Sequence, residues 1–135
     1  MPYLNVIISY LLTCVVFFAI DLVWLGVVAK DIYGKYLKDF LSPEINWKAA
    51  IIFYLLFIIG LMIFAIYPAV AKDSYIQALL LWGLFGFFTY ATYDLTNLAT
   101  LKNWPIQIVY IDIVWWVILC AAVSLAWFYI VKAIG

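Results

Sequence analysis

No histidine and no arginine occur among the 135 residues, so all seven basic side chains are lysine. Without imidazole there is no histidine general base, no Ser–His or Cys–His pair and no His-ligated metal. Without guanidinium there is no two-pronged clamp for phosphate or carboxylate. Cysteine is nearly as scarce. Cys14 and Cys120 each stand midway along an apolar run, and two lone thiols make neither a disulfide framework, a CxxC redox pair nor a zinc site. Small core residues are the expected role for both. Charge of either sign is rare, at 10% of residues with a net charge of zero, against about 25% charged in an ordinary soluble domain. With no basic tract, nucleic acid is not an expected partner. No residue set implies a cofactor, and no metal site is assigned.

Apolar side chains fill the space these absences leave: 71% of residues are hydrophobic and 21% aromatic. A soluble chain this short could not bury so much apolar surface, so lipid is the expected solvent. Crossing a bilayer takes roughly 20 mostly apolar residues. Four runs qualify, at about 4–29, 49–70, 76–99 and 106–131. The predicted fold is therefore an all-α integral membrane protein. It has four transmembrane helices in an up-down bundle, no sheet, and one transmembrane domain over 1–135. A re-entrant third segment is the main rival, since Gly83 and Gly86 weaken its middle. The first run has no basic stretch before it and no small-residue cleavage site after it, so it reads as a span and not as a signal peptide.

The connections are punctuated. Pro43 precedes the second run, Pro68 sits near its end, and Asn103-Trp104-Pro105 opens the fourth. Asn103 is a candidate helix cap and Pro105 suits a first helical turn. The connection at 100–105 is tight, which makes the third and fourth spans antiparallel neighbours. In the longer loop at 30–48, Lys30, Lys35 and Lys38 alternate with Tyr33, Tyr36 and Phe40. That spacing predicts a short amphipathic helix in the interface with its lysines toward lipid phosphates; a solvated loop is the alternative. Loop 30–48 and turn 100–105 share five lysines, against Lys72 and Lys132 on the other side. By the positive-inside bias, loop and turn are expected in the cytoplasm and both termini opposite, in a multi-pass protein of the cell inner (plasma) membrane.

Asp21, Asp94 and Asp112 interrupt the first, third and fourth runs. The end of span one, the end of span three and the start of span four lie on one side of an up-down bundle. At 1.5 Å per residue, the three acids lie roughly 10–13 Å inside the nearest span end. With a hydrocarbon half-thickness of about 15 Å, all three fall below the headgroups. A charged side chain there costs about 2.5–3.5 kcal/mol, and such residues normally face the bundle interior or a wet cavity. The bland alternative is structural: the acids receive snorkelling lysines, or lock helices together by accepting hydrogen bonds from Thr, Tyr and Trp.

Other polar groups share their faces. Tyr90, Asp94 and Asn97 follow i, i+4, i+7 spacing, with Gly86 one turn earlier and Thr89, Thr92, Tyr93 and Thr96 beside them. Asp-Leu-Val-Trp at 21–24 echoes Asp-Ile-Val-Trp at 112–115, which puts Trp24 and Trp115 one turn from an acid. The expected site is a pocket of Asp21, Asp94, Asp112, Asn97, Tyr90, Tyr93, Thr96, Trp24 and Trp115, with Asp94 at its centre and Trp104 among its walls. Tyr3, Trp47, Tyr67, Tyr75, Trp104, Trp127 and Tyr129 lie near span ends, where an interfacial aromatic belt or ordinary packing is expected to account for them.

Tyr-Ala-Thr-Tyr-Asp-Leu-Thr-Asn at 90–97, continuing to Pro105, resembles a bacterial family of predicted membrane proteins catalogued as domain of unknown function 2177. The resemblance extends to Asp21 through Leu25, the Tyr-rich basic stretch from Tyr33 to Lys38, Asn46-Trp47, and the Asp112–Trp115 motif, and so covers nearly the whole chain. It implies the four-span architecture and brings no activity with it. Three kinds of function remain open. One is a site that binds or carries a small molecule, lipid, cation or proton. Another is a lipid-modifying membrane enzyme with an acid–base Asp pair. The third is an accessory subunit whose acids pair with another membrane protein. Expected partners are membrane lipid and either a second copy or another membrane protein.

Overall fold

A computed structural model describes residues 2–134. Its four long helices are α1 (Tyr3–Val28), α3 (Trp47–Ala71), α4 (Tyr75–Thr100) and α5 (Ile106–Ile134). A short helix, α2 (Lys30–Tyr36), follows α1. No strand occurs among the described residues, and each long helix is long and apolar enough to cross a membrane. The protein is an all-α membrane protein. α4 runs unbroken through Gly83 and Gly86, so the third segment is one continuous helix long enough to cross, without the mid-helix break that a re-entrant segment would need.

Local chemistry sets the ends. The Asn46 side chain caps α3 by accepting from the Ala49 N–H at 3.1 Å, and Ser74 caps α4 by accepting from the Gln77 N–H at 3.2 Å. Each satisfies one of the free donors at a helix start. Asn103 does something other than the expected capping. It takes a left-handed conformation, φ 59°, which asparagine tolerates better than most residues. It thereby reverses the chain within the α4–α5 turn, and α5 starts only at Ile106. Two π-helical turns widen the spans, at Trp24–Val28 and Met62–Ile66. The second precedes Pro68. A proline lacks an N–H and crowds the carbonyl four residues back, so the helix loosens there.

The long helices form a closed ring in chain order, α1–α3–α4–α5, with α5 returning to α1. The tightest seam is α4 against α5, and Gly86 explains it. A Cβ added at Gly86 would stand 2.4 Å from the Trp116 carbonyl oxygen and 2.9 Å from Cys120 Sγ. Small residues allow such close approach between membrane helices. The second half of α3 also packs closely on α4, through buried Ala65 and Ala69. Its first half is held off by rings. Phe57 lies 5.2 Å from Phe85 and 5.1 Å from Trp116, centroid to centroid. Phe17, Ile58, Leu61 and Trp82 complete the core, with Cys14 and Cys120 as buried free thiols within it. Leu11, Val15, Leu56, Phe64, Leu80 and Ile118 point outward, where lipid tails are their natural solvent.

The amphipathic helix expected after span one exists but is confined to Lys30–Tyr36. Its lysines are exposed, whereas Ile32, Tyr33, Tyr36 and Leu37 pack on a small second core of Trp104, Ile108 and Val109. The aromatic face therefore meets protein and not the lipid interface. Trp104 and Trp127 are buried, so packing accounts for these two. Tyr3, Trp47, Tyr67, Tyr75 and Tyr129 are exposed as expected.

Gly86→Val should lower stability by about 1–3 kcal/mol, the usual cost of overpacking. Gly26→Ala, whose Cβ meets nothing within 4 Å, should stay near wild type. Unfolding in mixed micelles measures both, and equal midpoints would show that the α4–α5 seam is not under this constraint.

Candidate functional site

The end of α1, the start of α3, the end of α4, the start of α5 and all of α2 meet at one end of the bundle. Asp21 lies there at 3% exposure. Its Oδ2 accepts from the Tyr54 hydroxyl of α3 at 2.5 Å, and its Oδ1 accepts from the Trp115 indole of α5 at 3.2 Å. Asp112, 5% exposed, accepts from the Tyr33 hydroxyl of α2. That hydroxyl in turn accepts from the Trp24 indole at 3.3 Å. Trp24 and Trp115, one turn beyond the acids of the echoed motif, stack face to face at 4.2 Å with planes 7° apart. The two carboxyls and their donors thus form two short chains joined through a pair of indoles.

The donors follow from the energetics of burial. An ionised carboxylate out of water needs hydrogen bonds, and charge-assisted bonds from Tyr and Trp are the strongest neutral donors can offer. No lysine lies within 4 Å of the three intramembrane acids; the ion pair among the described residues is Lys132–Asp73, 3.1 Å apart and exposed at the opposite end. Tyr33 lies outside the spans. Burial, with the Asp112 carboxyl beside it, pushes its phenol well above the ordinary range, so it stays a neutral donor.

A cleft of about 640 Å³ opens between these elements. Asp21 and Asp112 line it together with Tyr33, Tyr54, Trp24 and Trp115, and Tyr90, Tyr93 and Trp116 extend its wall. Tyr90 stacks on Trp116 at 3.8 Å. Lys30 stands at the edge and is exposed. Three further hollows share its lining residues, and two of them flank α3. One of about 390 Å³ lies between α1 and α3 and shares Asp21 and Tyr54. The other, of about 410 Å³, lies between α3 and α4 and shares Tyr90 and Tyr93. Both follow from the rings that hold the first half of α3 away from its neighbours.

Of the nine residues expected at the site, Asp21, Asp112, Tyr90, Tyr93, Trp24 and Trp115 line the cleft. Asp94, expected at its centre, lies behind it at 0% exposure, packed beside Asp112 and Trp104. The seam explains this placement. Gly86, Tyr90 and Asp94 follow one another at four-residue steps along the α4 face pressed on α5, so Asp94 meets Asp112 instead of open space. Neither Asp94 oxygen has a hydrogen-bond partner, and the buried Trp104 indole N–H has none either. Thr96 and Asn97 are outside the cleft wall. The Thr92, Thr96 and Thr100 hydroxyls each donate to the carbonyl four residues back on their own exposed face. Among the described residues no three acids, cysteines or histidines gather as metal ligands.

Tyr33 and Tyr54 were not expected here. Tyr54 had a signal, as the sole polar side chain between Lys48 and Tyr67 and too far inside the span for a belt residue. Tyr33 had none separable from the amphipathic pattern, since nothing local distinguishes it from Tyr36.

The fold and cleft define a small four-span helical membrane protein with a polar site at one end of its bundle. The chain belongs to the family described as predicted membrane protein (DUF2177), matched over residues 6–129. No curated protein and no solved structure matches it.

Tyr33→Phe leaves Asp112 without its donor. A buried acceptor so abandoned costs about 1–3 kcal/mol, most of it falling on α2, which is otherwise held only by the small second core. Amide exchange at 30–36 in nanodiscs should speed up while the spans stay protected. Unchanged exchange would mean that apolar packing alone holds α2.

Proposed function

We propose that this protein binds, and in carrying out its role holds or passes on, a membrane-soluble small molecule or lipid in the cleft at the Asp21–Asp112 end of the bundle. The observation that carries this reading is the cleft itself, about 640 Å³ with two intramembrane carboxyls on its wall and apolar hollows on either side of α3. Ligand sites are typically hollows of this size, mostly apolar with a few placed polar groups. Buried acids facing such a hollow are functional candidates by default. Both flanking hollows lie between spans, so a ligand can arrive from the bilayer without crossing water.

Burial speaks against the accessory reading. Asp21 and Asp112 are 3% and 5% exposed and already bonded to donors of their own chain. A partner's intramembrane lysine or arginine would have to enter the cleft to reach them. The helix-locking alternative accounts for the donors but leaves the hollow beside them without a use.

Protein purified from its native membrane in a mild detergent should carry a lipid-soluble species near one per chain, detected by native mass spectrometry. Asp21→Asn/Asp112→Asn should lose most of it. Leu61→Ala, which opens a hole in the core and costs about 2–5 kcal/mol, should keep it at temperatures below unfolding. The reading fails if the double variant and wild type carry the same species in the same amounts.

For placement, we propose the inner membrane with loop 30–48 and turn 100–105 in the cytoplasm, on the five-to-two lysine bias. An alkaline phosphatase fused at the C-terminus should then be active and a fused GFP dark. The reverse pattern would invert the topology and leave the cleft open to the other face.

A further inference from the structure

Resting on that reading of the cleft, we infer that its ligand carries a protonated amine, with the ammonium held between the Asp21 and Asp112 carboxyls and the aromatic walls, and an apolar tail lying in the hollows beside α3. The argument counts what is left over after the cleft satisfies itself. The Trp115 N–H and Tyr54 O–H are spent on Asp21, the Tyr33 O–H on Asp112, and the Trp24 N–H on Tyr33. These four donors have nothing to give a ligand. The carboxyls do have something left to accept with. A carboxylate offers about four lone-pair sites; Asp21 uses two and Asp112 one. The unspent capacity next to the paired indoles is therefore acceptor capacity, and a matching group must donate. An ammonium has three donors and no acceptor.

Charge points the same way. Two acids line the cleft and Asp94 lies behind one of them, with no lysine within ion-pairing distance of any. An anionic head would add repulsion in a medium of low dielectric, whereas an ammonium supplies the counter-charge that lets a buried carboxyl ionise. The walls favour an organic cation over a bare metal ion. The stacked Trp24–Trp115 and Tyr90–Trp116 pairs and the rings of Tyr33 and Tyr54 surround the acids, and such faces attract ammonium groups. Tyr90 and Tyr93 add hydroxyls that can turn either way. The cleft is far larger than an ammonium, and its continuation is apolar, which suits an alkyl tail. The amine can come on a free long-chain molecule or on a lipid head. In the second case the exposed Lys30 at the edge offers the phosphate a counter-charge.

The full-length protein in dodecyl maltoside micelles is titrated with dodecylamine, dodecanol, dodecanoate, phosphatidylethanolamine, phosphatidylglycerol and magnesium chloride, with tryptophan fluorescence and native mass spectrometry as readouts. Saturable binding of dodecylamine or phosphatidylethanolamine is expected, at least about tenfold tighter than the neutral and anionic probes, the scale of one lost charge-assisted bond. Asp21→Asn and Asp112→Asn, each checked for folding by thermal melt, should erase that preference. The wild-type ranking of probes decides the matter even if a variant fails to fold. Tighter phosphatidylethanolamine binding that Lys30→Ala weakens, with dodecylamine unaffected, assigns the amine to a lipid head; dodecylamine binding alone assigns it to a free amine. Equal or tighter binding of dodecanol, dodecanoate or phosphatidylglycerol overturns the ammonium inference and leaves the cleft as a ligand site. Saturable binding of magnesium in place of the amines overturns it in favour of a metal. Absence of binding by every probe, together with no co-purifying species, removes both readings.

Discussion

A carboxyl placed below the headgroups has to find hydrogen-bond donors, and the donors it finds decide which helices meet. Asp21 takes Tyr54 from α3 and Trp115 from α5, so three spans converge on one side chain. Asp112 takes Tyr33 and thereby ties α2 to α5, beside the apolar packing on the small second core. Between membrane helices there is little hydrophobic driving force, since lipid tails are as apolar as leucine. Polar bonds of this kind therefore contribute specificity that greasy packing cannot. The same bonds make Asp21 and Asp112 bearable, and both of these acids also line the cleft, so a structural and a functional role are not exclusive for them.

Packing density varies around the ring for a reason visible in residue size. Where α4 meets α5, Gly86 brings the backbones together, and where the second half of α3 meets α4, Ala65 and Ala69 do so. Where the first half of α3 faces α4 and α5, Phe53, Phe57, Phe85 and Trp116 intervene. Close contact at one end and rings at the other make the bundle diverge toward the acids. The cleft is the divergence, and the carboxyl network spans it.

The four spans, their order and the shared end of the three acids were legible in the sequence because each rests on long runs and on the geometry of an up-down chain. Gly86 was legible too, as a small residue one turn from Tyr90 on the face that bears Asp94. Less was legible about which acid would face the cavity. Asp94 has the richest polar surroundings in sequence, yet those surroundings are spread around the helix: Thr92 and Thr96 spend their hydroxyls on their own backbone, and Asp94 itself turns into the tight seam. Local polarity counts neighbours along the chain and cannot tell which face a neighbouring helix will cover. Tyr33 illustrates the complementary limit. Its partner is 79 positions away, and its own segment carries only an amphipathic pattern that lipid could have satisfied as well as protein did.

Asp94 and Trp104 then acquire a meaning that neither has alone. Both are buried with no hydrogen-bond partner, and they are neighbours. The indole N–H is a donor and the acid an acceptor, so the two groups are chemically matched. Trp104 belongs to the short turn between α4 and α5 and carries the small core on which α2 rests. Trp104 thus stands between α2, whose apolar residues pack on its cluster, and the acid behind the cleft. The acid with the richest polar surroundings in the sequence therefore lies behind the cleft wall, next to the turn that supports α2.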